Sequence, residues 1–459
     1  AMGKASDPVT LRIEAAALAV SLDNPANLFV GQTELELDMS YNGGKPEGAV
    51  KIQYFNDRGT WTDAAYTASA TGTDDLYHIT LTGLPATGHP ESTSALRLRA
   101  VAGSLISEEL SVDRMPTDVR LTATEGAAFA RHAYISASLQ SAGRAALNLD
   151  PVLAAGRLML STDGGSSWTA ATATIADGTF TVTGLTPATA YSARFELAGC
   201  DPSPAVTFTT EATPQLPNAG MESWYSTDAY THKSLWVGET DIKCWYPNES
   251  GQSFWATRNP RTTGQTSGTT CHYTSYSGTL SVAGRNGNAA EISTLGYGEG
   301  TTYTHTGSGS TGDPKKKIGG LLFTGTYSCS GDNETRNLGQ PFTARPAALS
   351  FYYKFSSVAS ESFRVTIILE NRSGDTTTQL GKGEFTSSES HDSFTKCDIP
   401  VTYTNKALKA THITVMFEST TSDSPTVLSK QGSKGAINGY GDSRYVGNVL
   451  TVDDIELIY

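Results

Sequence analysis

Leu35-Glu36-Leu37-Asp38-Met39 and then Val50-Lys51-Ile52-Gln53-Tyr54 alternate apolar and polar side chains with a period of two. Successive side chains of an extended strand point to opposite faces, so each run reads as a strand with one face buried. Such runs recur at close spacing through the first half of the chain, between turn signals. That pattern argues for β-sandwiches.

Working outward, the first half contains a weak internal repeat. Val50-Lys51-Ile52-Gln53-Tyr54, Gly59-Thr60-Trp61 and Leu81-Thr82-Gly83-Leu84-Pro85 are matched by a second set. That set is Arg157-Leu158-Met159-Leu160-Ser161, Ser166-Ser167-Trp168 and Val182-Thr183-Gly184-Leu185-Thr186-Pro187. Each reads as a strand, a turn ending in Trp-Thr, another strand and a Gly-Leu turn. Trp61 and Trp168 are expected to pack in the sheets rather than to serve as ligand platforms. Glu211-Ala212-Thr213-Pro214-Gln215-Leu216-Pro217 then reads as a short Pro-bearing linker.

After the linker the texture changes. Gly, Thr, Ser, Tyr and Trp dominate to about residue 345, and four of the six tryptophans (224, 236, 245 and 255) fall within 32 residues. Cleaner strands follow, among them Leu349–Phe355, Phe363–Leu369, Thr411–Phe417 and Val449–Ile458. Long amphipathic helices are absent, which suggests an elaborated two-sheet jelly roll. The expected fold is thus all-β, two N-terminal sandwiches followed by a larger C-terminal jelly-roll sandwich, with domains at 8–115, 116–212 and 218–459.

Bulk properties exclude several classes. At 459 residues the chain exceeds what one core organises. Net charge is −13, and no basic stripe exists for nucleic acid. Lys315-Lys316-Lys317 sits in a Gly/Ser/Thr-rich stretch and reads as a solvated loop. The charged fraction, 17%, is low and hydroxyl residues fill the gap, a habit of extracellular all-β proteins. No apolar run is long enough for a membrane-spanning helix. Ala1-Met2-Gly3-Lys4 reads as a remnant ahead of a mature N-terminus, with a signal or lipid anchor expected upstream. No Cys-x-x-Cys pair marks a zinc ribbon. In an exported chain Cys244, Cys271, Cys329 and Cys397 could pair as disulfides; the favoured alternative is that they are small buried hydrophobes.

Gly184-Leu185-Thr186-Pro187-Ala188-Thr189-Ala190-Tyr191 resembles the fibronectin type III corner, in which the tyrosine folds back onto upstream backbone. The resemblance covers 116–212 and implies that role for Tyr191. Residues 8–115 lack the tyrosine and are read as immunoglobulin-like only.

The third segment opens with Asn218-Ala219-Gly220-Met221-Glu222-Ser223-Trp224 and closes with Val452-Asp453-Asp454-Ile455-Glu456-Leu457. With Phe254-Trp255-Ala256-Thr257-Arg258-Asn259 and Asn286-Gly287-Asn288-Ala289-Ala290-Glu291-Ile292, these resemble galactose-binding-like jelly rolls, which include many carbohydrate-binding modules. Together they are similar to a Bacteroidetes carbohydrate-metabolism domain family, whose members follow immunoglobulin-like domains on exported, often lipid-anchored proteins. The resemblance implies a cell-surface or periplasmic protein that binds a carbohydrate and works beside outer-membrane glycan-uptake partners.

Glu222 and Asp453 or Asp454 would be neighbours if the first and last strands pair. Carboxylates and carbonyls converging there suit Ca²⁺, which takes oxygen ligands, and the resembled modules often hold a structural calcium at that place. The alternative is that these carboxylates face solvent or bond loop backbone. Sugars are bound by aromatic faces flanked by polar groups. Arg258 and Asn259 beside Trp255 are therefore expected to hold hydroxyls, unless Asn259-Pro260 is simply a turn. Trp245, Tyr246, Tyr273 and Tyr297, in loop-like sequence, are the expected stacking platforms.

Glycoside hydrolysis needs two carboxylates across a cleft. Glu222, Asp241, Glu249, Glu291, Glu299, Glu370, Glu384 and Glu418 are available, but no motif pairs them. Gly-x-Ser-x-Gly, HExxH, P-loop and Rossmann signatures are absent. The expectation is a glycan-binding protein, with a glycoside hydrolase and a structural adhesion protein as the other classes.

Overall fold

A computed structural model describes the chain except residues 1–18, 57, 87–94, 116, 140–148, 235–237, 264–275, 299–313, 315, 429–435, 438–439 and 442–444. Strand accounts for 56% and helix for 4%, so the chain is all-β. It divides into two compact units, one of residues 1–123, 132–184 and 190–208, the other of 124–131, 185–189 and 209–459. No helix among the described residues is long and apolar enough to cross a membrane.

In the first unit, Ala19–Asp23, Leu35–Asn42, Leu76–Thr82, Trp61–Ala70, Lys51–Phe55, Leu96–Ala102 and Leu105–Ile106 follow one another across one sheet. Leu35, Leu37 and Met39 are buried while Glu36 and Asp38 are not, as period two requires. Further along are two four-stranded sheets. One runs Val119–Thr122, His132–Leu139, Thr179–Thr183, Ala173–Ala176; the other runs Thr169–Ala170, Arg157–Ser161, Ala190–Glu196, Val206–Thr209. Ile135, Phe180, Val182, Ala193 and Phe195 are buried. Tyr191 is buried with its ring stacked on Phe208 at 5.5 Å.

The sequence repeat is also a repeat of pairing. Lys51–Phe55 lies between Trp61–Ala70 and Leu96–Ala102, and Arg157–Ser161 lies between Thr169–Ala170 and Ala190–Glu196. In both, an arginine from the third strand covers the tryptophan: Arg99 above Trp61 at 4.2 Å and Arg194 above Trp168 at 4.2 Å. The two indoles are half-exposed on outer faces, beneath guanidinium groups, instead of between sheets.

The second unit is built on two large sheets, with two-stranded pairings beside them. One runs Trp255–Thr257, Leu321–Ser330, His412–Glu418, Phe363–Ser373, Thr376–Ser387, Thr402–Tyr403. The other runs Thr279–Ala283, Asn288–Tyr297, Tyr445–Ile458, Ala348–Ser356, His391–Pro400. Their shared core includes Phe351, Phe355, Phe363, Phe417, Ile367 and Leu450. Each fully buried Phe contributes about 1.5–3 kcal/mol. Phe351 meets Phe417 edge-on at 5.3 Å.

The segment 211–217 is not a free tether, which corrects its reading as a linker. Gln215 exchanges two hydrogen bonds with the Leu457 backbone (2.8 and 2.7 Å), the Tyr459 hydroxyl donates to Pro214 O at 2.7 Å, and Leu216 is buried in the core. Arg345 is wholly buried. Its Nε donates to Glu211 at 2.8 Å, and its terminal nitrogens donate to Gly126 O and Ala128 O at 2.6 and 2.9 Å. Pro residues at 214 and 217 read as punctuation in sequence, yet the side chains between them are bound into the unit.

Candidate functional site

Two places in the second unit gather chemistry. The first surrounds the helix Asn259–Thr263. Leu321–Ser330 and Asn333–Leu338 form a hairpin whose turn contains Gly331 at φ +60°. Its register sets Cys329 opposite Glu334 and Tyr327 opposite Arg336. Glu334 is the hub. Arg258 donates to it through Nε (3.1 Å) and Nη2 (3.0 Å), Arg261 through Nη1 (3.3 Å), and the Tyr327 hydroxyl at 3.0 Å. Arg336 approaches at 3.4 Å. Arg261 Nε also donates to the Tyr297 hydroxyl at 2.8 Å.

Electrostatics follow from that geometry. Burial works against the charged form of Glu334. The hydrogen bonds and charge of Arg258, with Tyr327 and Arg336, outweigh it and hold the carboxyl below its usual range. Burial first, then the Glu334 charge, pushes the Tyr327 phenol well up, so it remains a donor at neutral pH. An ionised, arginine-bound Glu334 is a poor general acid. It is well suited to orient guanidinium and hydroxyl groups.

Neighbouring strands complete this face. Tyr225–Ser234 and Gly238–Tyr246 pair so that Tyr225 lies opposite Tyr246, their rings stacked at 4.9 Å and 16°. Cys244 shares a strand face with Tyr246. Burial chiefly raises its thiol, opposed by hydrogen bonds with Tyr246 and Thr263, and a nearby Cys329 adds to the rise. Burial likewise raises the Cys329 thiol, so neither is an activated nucleophile. Cys200, Cys244, Cys329 and Cys397 are free thiols. Cys271 lies outside the described residues.

Several expected ligand residues thus meet here, but in different roles. Arg258 has its guanidinium occupied by Glu334 and by Gly319 O. Asn259 is wholly buried, its amide donating to Trp245 O and Thr279 O at 2.7 Å each, so it ties the helix to two strands and offers nothing to a ligand. Tyr297 is 1% exposed and serves as partner of Arg261, which corrects its reading as an open platform. Trp255 is corrected too. It is 2% exposed in the main core, its indole donating to Pro217 O at 2.8 Å. Trp245 and Tyr246 are half-buried and keep partial exposure. Tyr273 lies outside the described residues. Glu334, absent from the carboxylates weighed in the sequence, is the one the fold centres. The signal for it was the Gly331-Asp332 turn between polar strands, which would have placed Tyr327, Cys329, Glu334 and Arg336 on one hairpin.

The second place joins the opening of the third segment to its last strand. Ile455 N donates to Ala219 O at 3.0 Å. A register shift between Ser350 and Tyr352, with Asp454 at φ +47°, directs the two aspartates differently. Asp453 is fully buried and accepts from Arg285 N and Asp454 N, each at 2.7 Å. Glu222 accepts from Asn288 N at 3.0 Å. Asp454 is instead paired with the Arg285 side chain, which removes it from the expected metal-ligating set. A Cβ on Gly284 would sit 2.5 Å from Asp453 Oδ2, and one on Gly287 2.4 Å from Glu222 Oε2. The glycines let the loop close around both carboxylates.

Burial, chiefly, raises the Asp453 carboxyl, and the charges of Asp454 and Glu222 raise it further against the two amide bonds. A divalent cation would relieve that repulsion, and carboxylates with loop carbonyls are hard oxygen donors, so the residues fit Ca²⁺ in ligand type. No group of three His, Cys, Asp or Glu side chains converges as metal ligands among the described residues. Any such ion would therefore draw on backbone oxygens.

No family model matches the chain, and no curated protein does. Among solved structures, it is similar to a candidate glycoside hydrolase from Bacteroides thetaiotaomicron (13% identity, TM-score 0.29, covering 74% of this chain and 95% of the other). A carbohydrate-binding module of the β-sandwich superfamily matches at 8% identity and TM-score 0.22, covering 75% and 98%. The FN1–FN3 domains of chicken CNTN1 match at 9% identity and TM-score 0.21, covering 86% and 95%. Likenesses this remote decide nothing about activity, and the all-β architecture stands on the chain's own strand pairing.

Proposed function

We propose that this is an exported glycan-binding protein, held at the cell surface or in the periplasm. It recognises carbohydrate through the face around Asn259–Thr263. The observation that supports it is the Glu334 cluster, in which arginines, a carboxylate and a phenol are fixed together, while the strand carrying the half-buried Tyr246, stacked on Tyr225, packs against the same helix. Sugar recognition asks for that combination: an aromatic surface for C–H faces and pre-oriented donors and acceptors for hydroxyls. Binding is favoured over hydrolysis because Glu334 is held ionised where a proton donor would need a raised pKa. The sandwiches of 8–115 and 116–212 act in this proposal as spacers for the jelly roll of 218–459, and Ca²⁺ held by Asp453 and Glu222 braces that jelly roll.

A glycan array with the whole chain, run with Ca²⁺ and with EDTA, tests the proposal. Binding that is lost in Tyr246→Ala, with reducing-sugar release undetectable, is the expected result. Silence across the array in both conditions would sink it. Release of reducing sugar would move the protein to the hydrolases.

A further inference from the structure

Four cationic side chains meet two carboxylates at the Glu334 cluster. Arg258, Arg261, Arg336 and Lys316 act there on Glu334 and Asp332. In a chain of net charge −13 this local excess of positive charge is out of character. Glu334 is already saturated by Arg258, Arg261 and Tyr327. Arg336 reaches it only through Nε at 3.4 Å, longer than the ~2.7–3.2 Å of a good N–H···O bond. Its terminal nitrogens have no acceptor among the described residues. Arg261 Nη2 stands 3.8 Å from Asp332, an ion pair too long for a hydrogen bond.

Arg336 is 38% exposed and lies opposite the half-buried Tyr327 in the hairpin. A guanidinium fork with free N–H groups matches the paired oxygens of a carboxylate or sulfate, and charge-assisted bonds of that kind are the strong ones. We propose that the site takes an acidic saccharide, whose carboxylate or sulfate ester engages Arg336 and Arg261 while the sugar ring lies against Tyr327. This rests on the glycan-binding reading of the same face and adds the ligand's charge to it.

Calorimetry of the whole chain tests this with an oligogalacturonate, a chondroitin-sulfate oligosaccharide and a neutral galacto-oligosaccharide of equal length, at low and high salt. At least one acidic probe is expected to bind about tenfold tighter than the neutral one, with the margin shrinking as salt rises. Arg336→Gln is expected to abolish that margin with an unchanged thermal midpoint. Arg97→Gln, which removes a cation from an outer face of the first unit, is expected to retain it. Equal affinity for neutral and acidic probes, or a margin that survives Arg336→Gln, overturns the acidic preference and leaves glycan binding standing. Inorganic sulfate binding as tightly as the sulfated probe overturns the saccharide assignment. Failure of every probe to bind overturns the glycan-binding reading with it.

Discussion

Glu334 shows how one side chain can organise a face. It is 16% exposed on its side chain and accepts from two arginines and a phenol. Charge-assisted bonds at such a site contribute about 1.5–3 kcal/mol, and losing the charge strands two half-buried guanidiniums. Glu334→Gln is therefore expected to cost about 1–3 kcal/mol in denaturant unfolding at neutral pH. The sign of the pH dependence follows from the depressed carboxyl. Its contribution is fully present above the ordinary carboxylate value of 4.5 and is lost as pH falls through the lower folded value. The gap between wild type and Glu334→Gln should close below that range. A gap independent of pH would mean that shape, not charge, is what the residue supplies. Arg258 stood out in sequence because an arginine and an amide beside an indole are a recognisable run, but the fold gives Arg258, Asn259 and Trp255 protein partners in place of the hydroxyls expected for them. Glu334 was not singled out, since the Gly331-Asp332 turn marks a hairpin without marking which side chain on it the arginines will reach.

The element that carries Glu334 is a hairpin that hydrophobic periodicity could not mark. Leu321 and Phe323 turn away from the main core into a satellite cluster with Ala256, against which Tyr327, Leu338 and Met416 pack. Most of the hairpin beyond them is Ser, Thr, Asn and Gly, so its alternation carries little apolar contrast. Its pairing begins at Gly325, opposite Leu338, where φ is +151° and a Cβ would lie 2.2 Å from Asn337 O. Gly325→Ala must move the hairpin strand. The expected outcome is a loss of about 1–3 kcal/mol of stability together with glycan binding. Retained binding with the same stability loss would detach the hairpin from the site. The strand Leu35–Asn42, by contrast, was read correctly from its letters, because its inward side chains meet one core and its outward ones meet water.

At the scale of the molecule, the closing strand Tyr445–Ile458 draws the opening residues of the third segment into the second unit. Ala219 and Gln215 both bond to its backbone, and Asp453 on it lies near Glu222. If Ca²⁺ links these carboxylates, saturating it at about a hundred times its dissociation constant adds roughly 2.7 kcal/mol. The thermal midpoint is then expected to rise with Ca²⁺, to fall with EDTA, and to lose this response in Asp453→Asn. A midpoint indifferent to both additions in the wild type would rule calcium out. A response that persists in Asp453→Asn would place the ion elsewhere.

The sequence by itself determined the all-β class, the repeated strand-and-tryptophan unit and the end motifs. All three are local: period-two alternation, turn residues and short runs are set by neighbours along the chain. The tertiary structure alone decided which aromatics are open and which carboxylate is central. Trp255 read as the indole of a sugar site and Tyr297 as a loop platform, yet the sheets close over both. Glu334 becomes the partner of Arg258 across 76 residues of chain. Burial and long-range ion pairing depend on which strands meet, and that is a property of the whole fold rather than of any run of residues within it.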